Sequence, residues 1–161
     1  MALAPAPVLL ARVVDFETIG FDPPIDAVGI CEVGYCDLMA DPDGTHLQVG
    51  DPSSILCNPG CPIPPTASAI HHIVDADVAD EPPAASILRE VFTNADVPKV
   101  AHNARYERLF YRGPECEGAH RWVCTWKCAH RVWPHAPGFS NQALRYWKVG
   151  TKAPRRRIGG K

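Results

Sequence analysis

Beyond Glu117 the chain contains no aspartate and no glutamate. Any carboxylate chemistry must therefore come from the part of the molecule before that point. Long apolar runs are missing too. None approaches the ~20 residues that a membrane-spanning helix needs, and the apolar opening from Met1 to Leu10 has neither a basic leading region nor a clear cleavage site. A cytoplasmic protein is the expectation. The composition lacks every extreme: 46% hydrophobic and 21% charged residues exclude a disordered, collagen-like or coiled-coil chain. Seven cysteines, an odd number without a secretory signal, argue against a disulfide framework and for reduced thiols. With 161 residues, one domain with one core is expected, and 17 prolines with 12 glycines imply many loops and short helices.

Charge is unevenly placed. Lys148, Lys152, Arg155, Arg156, Arg157 and Lys161 occupy the last fourteen residues; removing these six from the 16 basic residues leaves ten against 18 acids, a balance of -8. An acidic body does not attract phosphate backbones in bulk, so a nucleic-acid role would need a local site, with bound cations reversing the local sign. Residues 148–161 form a basic tail, with a solvated, disordered end as its simplest form.

Hydrophobic pattern places a strand over Val8 to Phe16 and a second over Val28 to Leu38. A turn at Asp41-Pro42-Asp43-Gly44 then leads into a third strand ending near Leu56 and Cys57. Helical turns are expected over Thr66 to Ile73 with Thr66 as cap, and a helix over Ala84 to Phe92. A short strand follows at Lys99 to Ala101, then a helix opened by Asn103 and running through Phe110. Trp122 to Thr125 forms a last strand, with helices over Trp126 to Trp133 and Ser140 to Trp147. Strands first, then alternating helix and strand, imply an α/β fold with a mixed sheet whose first three strands are antiparallel.

Asp15 and Glu17 flank Phe16 at the end of the first strand, so both carboxylates project to one face while Phe16 turns to the other. Such a pair can hold hard cations through oxygen. The same spacing occurs at Asp41 and Asp43, Asp75 and Asp77, and Glu115 and Glu117, but in polar, turn-like segments. Only the first pair ends an apolar strand, where open α/β sheets place their ligands.

These residues also carry a resemblance. Val13-Val14-Asp15-Phe16-Glu17-Thr18-Ile19-Gly20 resembles the first motif of the DEDD 3′-5′ exonucleases, the superfamily of proofreading exonucleases and exonuclease X. Ala69-Ile70-His71-His72-Ile73 is similar to the segment between the first two motifs, and Val100 to Phe110, containing His102-Asn103-Ala104-Arg105-Tyr106-Glu107, resembles the second motif. Trp122 to Lys127, Arg131 to Pro134 and Ser140 to Leu144 are similar to the exonuclease X branch. The resemblance implies a ribonuclease-H-like domain over residues 8–147 and two-metal-ion hydrolysis of terminal phosphodiesters, with Mg²⁺ or Mn²⁺ as cofactor. It implies Asp15, Glu17 and Glu107 as metal ligands and catalytic groups, Glu107 standing where the motif usually has Asp. Phe16, Thr18 and Ile70 match positions near a bound 3′ nucleotide, with a core role for Ile70 left open. His102 and Asn103 join this substrate-binding set, with capping and orientation of the second-motif helix as their main expected work. The implied partner is a DNA 3′ end, single strands before duplexes, with RNA left open and no membrane.

The superfamily's third motif, a His or Tyr followed after a few residues by an Asp, has no counterpart, because no acid follows Glu117. The expectation is a truncated or frame-shifted chain with impaired turnover. The alternative is a non-catalytic module, derived from an exonuclease domain, that binds nucleic acid or protein. Cys57-x3-Cys61 and Cys124-x3-Cys128, with His71, His72 and His130, leave a structural zinc site as a further reading. Trp122, Trp126, Trp133 and Trp147 are spaced as packing residues, with base stacking as their alternative.

Overall fold

A computed structural model describes residues 6–24, 27–94, 96–111 and 121–136, together with Gly138, Ser140 and Ala143. In chain order its elements are β1 (Val8–Thr18), β2 (Ile30–Ala40), β3 (Leu47–Val49), β4 (Ser53–Leu56), α1 (Pro65–His71), α2 (Asp75–Val78), α3 (Ala84–Val91), β5 (Lys99–Ala101), α4 (Arg105–Phe110), β6 (Trp122–Cys124) and α5 (Thr125–Val132). The strands form one mixed sheet in the order β3-β2-β1-β5-β6, with β4 also on β2. β1 and β2 are antiparallel, whereas β5 runs parallel to β1 and β6 parallel to β5. The α/β architecture with antiparallel opening strands is the one the hydrophobic pattern implied.

The single third strand expected before Cys57 is two strands. β3 pairs with the far end of β2, Leu38 opposite Val49, and β4 with its near end, Tyr35 opposite Ser53. Between them Pro52 has no N–H to offer a ladder, and the Gly50 N–H turns to the Asp37 carbonyl at 2.8 Å. Two caps also differ. α1 is opened by Pro64 and Pro65 rather than by the Thr66 side chain, since proline is pre-set for the first helical position. α4 has Ala104 as its N-cap, while Asn103 lies one residue earlier in the left-handed region at φ 70. The short α2 was not expected; the Asp77 carboxylate accepts the Val74 N–H at 2.9 Å and holds it. Of the helix expected over Ser140 to Trp147, only Ser140 and Ala143 are described. The Ala143 N–H donates to Ser140 Oγ at 3.1 Å, as an opening serine should. The remainder of that helix and the basic tail lie outside the described residues.

The main core joins Val14 and Phe16 of β1, Ile30 and Val33 of β2, Ile87, Leu88 and Val91 of α3, Phe92, and Phe110 of α4. Each large apolar side chain buried there contributes about 1.5–3 kcal/mol. A second cluster of Cys31, Ile63, Ala67, Ile73 and Val78 fastens α1 and α2 to the sheet. Because β1, β5 and β6 are parallel, their C-terminal ends share one rim, where Asp15 and Glu17, His102 and Asn103, and the start of α5 come together.

Candidate functional site

Along the end of β1 the even-numbered residues Val14, Phe16 and Thr18 are 2%, 5% and 6% exposed, which leaves Asp15 and Glu17 on the open face. The antiparallel register sets Glu17 directly opposite Glu32 of β2, whose carboxylate accepts the Ser54 hydroxyl. Like charges facing each other across a ladder are destabilising. Partial burial raises the Asp15 carboxyl above its usual range and Glu32 adds to the rise, while His102 and the Phe16 N–H pull the other way. Glu17 is likewise raised, first by burial and then by Asp15, with His71 opposing.

α4 carries the third carboxylate. Glu107 is only 2% exposed, and its Oε2 is buried without a hydrogen-bond partner among the described residues. Burial, with a further push from Asp15, lifts its pKa to about 7, although its own backbone N–H opposes this. Asp15 is thus the middle member, acting electrostatically on both Glu17 and Glu107. Among the described residues no three His, Cys, Asp or Glu side chains are gathered tightly enough to form a finished metal cage. The donor set still fits a hard cation: all its donors are carboxylate oxygens, one is buried and unpartnered, and each group's pKa is raised in a way that nearby positive charge relieves.

Beside the carboxylates lies a cavity of about 320 Å³ bordered by Asp15, Glu17, Thr18, Phe21, Ile70, His71 and Tyr106. Two apolar walls stand open: Phe21 is 81% exposed and Ile70 72%. Ile70 is therefore no core residue, because α1 turns Ala67 inward instead. Thr18 does its work inside the protein. Its hydroxyl and the Tyr106 hydroxyl both donate to the Gly20 carbonyl at 2.8 Å, which ties the turn after β1 to α4. Gly29 fixes the other side of that turn at φ +74, where an added Cβ would come within 2.5 Å of Pro24 Cδ. At the end of α1, His71 Nδ1 accepts the Ile73 N–H at 3.1 Å, while its Nε2 is buried without a partner among the described residues. In the neutral ring Nε2 then carries the proton and is an unused donor beside Glu17.

The other expected site residues are placed less directly. The Phe16 ring is buried in the core, 6.2 Å from the Phe92 ring centroid, although the residue borders the cavity. His102 does not border it; its Nδ1 is 3.0 Å from the Thr125 hydroxyl, joining the end of β5 to the start of α5. Asn103 is exposed and accepts the Tyr106 N–H with its main-chain carbonyl at 2.7 Å, so the helix-opening bond comes from backbone rather than side chain. The zinc reading gains nothing. Cys57 is fully buried and donates to the Ile30 carbonyl, and no ligand cluster surrounds either cysteine pair among the described residues. Glu32 and Phe21 escaped the sequence reading, which had His71 only in the segment between the motifs and as a zinc-ligand candidate, and Tyr106 only within the second motif. Only strand register reveals Glu32, and only the left-handed end of α1 at His72, φ 67, sets His71 as it stands.

Comparison with known proteins places this geometry. The family model RNase_T, described as Exonuclease, matches residues 13–110. Exodeoxyribonuclease 10 of Escherichia coli K12 is 36% identical over 135 residues, which cover 84% of this chain and 53% of that protein. The chain thus spans about half the length of that curated relative. Among solved structures, "Exonuclease X in complex with 5' overhanging duplex DNA" superposes with a TM-score of 0.68 at 33% identity, covering 89% of this chain and 75% of that one. E. coli Exonuclease I with a dT13 oligonucleotide shares the fold alone, with a TM-score of 0.53 at 16% identity over 81% of this chain and 31% of that one.

Proposed function

The chain belongs to the exonuclease family, and from that premise we propose that it is a divalent-metal-dependent 3′-5′ exonuclease acting on terminal phosphodiesters of DNA. The observation that carries this reading is the buried, unpartnered carboxylate of Glu107 beside Asp15, on the rim that also holds Glu17. These three residues would hold Mg²⁺ or Mn²⁺, which when bound supplies Lewis-acid polarisation of the phosphate and lowers the pKa of an attacking water. The protein's own groups do the positioning. Phe21 and Ile70 offer apolar walls for a terminal base, with His71 lining the same cavity. The Thr18, Tyr106 and Gly20 bonds hold the cavity's two sides at a fixed separation.

Among the described residues no three metal-ligating side chains are gathered tightly, and this favours, as second reading, a module that binds a nucleic-acid end without cutting it. Release of nucleotides from a 3′-labelled single-stranded oligonucleotide in Mn²⁺ separates the two. Release lost in Asp15→Asn supports the enzyme. Release equal in wild type and Asp15→Asn, or none at all with binding intact, defeats it.

A further inference from the structure

Between α4, β6 and α5 lies a second recess, of about 520 Å³, lined by Arg105 and Arg108 of α4, Lys127 of α5, Trp122, and Cys124 with Cys128. Arg105, Arg108 and Lys127 are exposed, and no acid is among the described residues lining the recess. Among the described residues the ion pairs are those of Arg12 with Asp37 and His46 with Asp41, so none of the three cations is paired with a described carboxylate. In a body whose balance is -8, three cations in one concavity with no carboxylate partner among the described residues mark an anion-binding surface. Backbone dipoles add to it. Burial pushes the Cys124 thiol pKa up, but the N–H groups of Lys127, Ala104, Asn103 and Trp126 directed at it outweigh burial and hold it below its usual value. The N–H groups of Trp126 and Lys127 belong to the first turn of α5, whose positive end faces the recess.

Position names the anion. The recess lies along β6, two strands from β1 in the sheet, and strands stand ~4.8 Å apart, so it is about 10 Å across the sheet from the carboxylates of β1. We infer that Arg105, Arg108 and Lys127 bind the phosphate backbone of a nucleic-acid strand, a short way along it from the end held at the carboxylates. The inference rests on the nucleic-acid reading of the carboxylate site but not on turnover.

The test is equilibrium binding of a fluorescein-labelled oligothymidylate by anisotropy, in EDTA, over a series of KCl concentrations. For single strands each phosphate contact contributes about 0.7 to the slope of log K against log salt. Arg105→Gln, Arg108→Gln and Lys127→Gln should each lower the slope by roughly that amount, Arg108→Lys should retain it, and the triple Gln variant should bind at least about tenfold more weakly. Arg89→Gln, an exposed cation on α3 outside the recess, should keep the wild-type slope. Unchanged slopes in the three Gln variants, an equal loss in Arg89→Gln, or no binding by the wild type even at low salt would overturn the inference. Because the readout needs no metal, absent hydrolysis with a lowered slope would strike the catalytic reading alone.

Discussion

Replacing Glu107 by Gln should stabilise the metal-free protein at alkaline pH, although it removes a residue placed in the active site. The carboxyl is 2% exposed with one oxygen unpartnered, and its pKa stands at about 7 against an ordinary 4.5. A folded-state pKa above the unfolded one favours the protonated form, so the stability it brings is complete below pH 4.5 and is lost as pH rises through 7. A displacement of that size corresponds to about 3 kcal/mol at pH 8. Gln keeps the shape and removes the charge; its own unpartnered amide reduces the gain by about 1 kcal/mol. In a domain of this size, roughly 2–4 °C per kcal/mol gives a Tm rise of about 4–8 °C at pH 8. Thermal melts by circular dichroism at pH 5 and pH 8, in EDTA, read the effect directly. The Gln variant should melt higher than wild type at pH 8 and close to it or lower at pH 5. A Tm difference that does not change between the two pH values, or a variant less stable at pH 8, would refute the idea that Glu107 sits as an uncompensated buried charge.

Three other perturbations have definite outcomes. The fork between Arg12 and Asp37, with N–O distances of 2.6 and 2.8 Å, holds the Asp37 carboxyl below its usual range, first through the hydrogen bond itself. Its stabilisation is present above the ordinary carboxylate pKa and is lost as pH falls through the lowered one; Asp37→Asn should cost about 1 kcal/mol at pH 7 by urea denaturation, and the cost should vanish in strong acid. Gly29→Ala forces a Cβ against Pro24 in the left-handed region, and should lower stability by about 2 kcal/mol or more in the same assay. Phe21→Ala removes an exposed wall of the cavity and should weaken oligonucleotide binding by about 1–3 kcal/mol, read as a higher Kd with unchanged Tm.

What could be seen in the residues alone follows from locality. β1 and α3 were legible because alternation in one and helical spacing in the other report directly which side faces the core, and the structure buries Val14, Phe16, Ile87 and Leu88 accordingly. Asp15 and Glu17 were legible because they interrupt an apolar strand. Glu32 was not, since its relation to Glu17 exists only through a strand register that no local pattern encodes. The division into β3 and β4 was hidden for the same reason: both halves look like strand, and only their shared partner β2 makes them separate. Ile70 looked equally suited to a core because hydrophobicity does not tell which side of a seven-residue helix is covered. The basic recess was invisible because Arg105, Arg108 and Lys127 meet only when β5 and β6 lie side by side.

The claim on which the function depends is that Asp15, Glu17 and Glu107 take hold of a common divalent ion. Titration of the protein with Mn²⁺, followed by electron paramagnetic resonance of the free ion, addresses it without requiring turnover. The expected result is at least one bound Mn²⁺ per chain, lost in Asp15→Asn and weakened at least about tenfold in Glu17→Gln and Glu107→Gln. Wild-type affinity retained in all three variants, or no binding by the wild type, would contradict it.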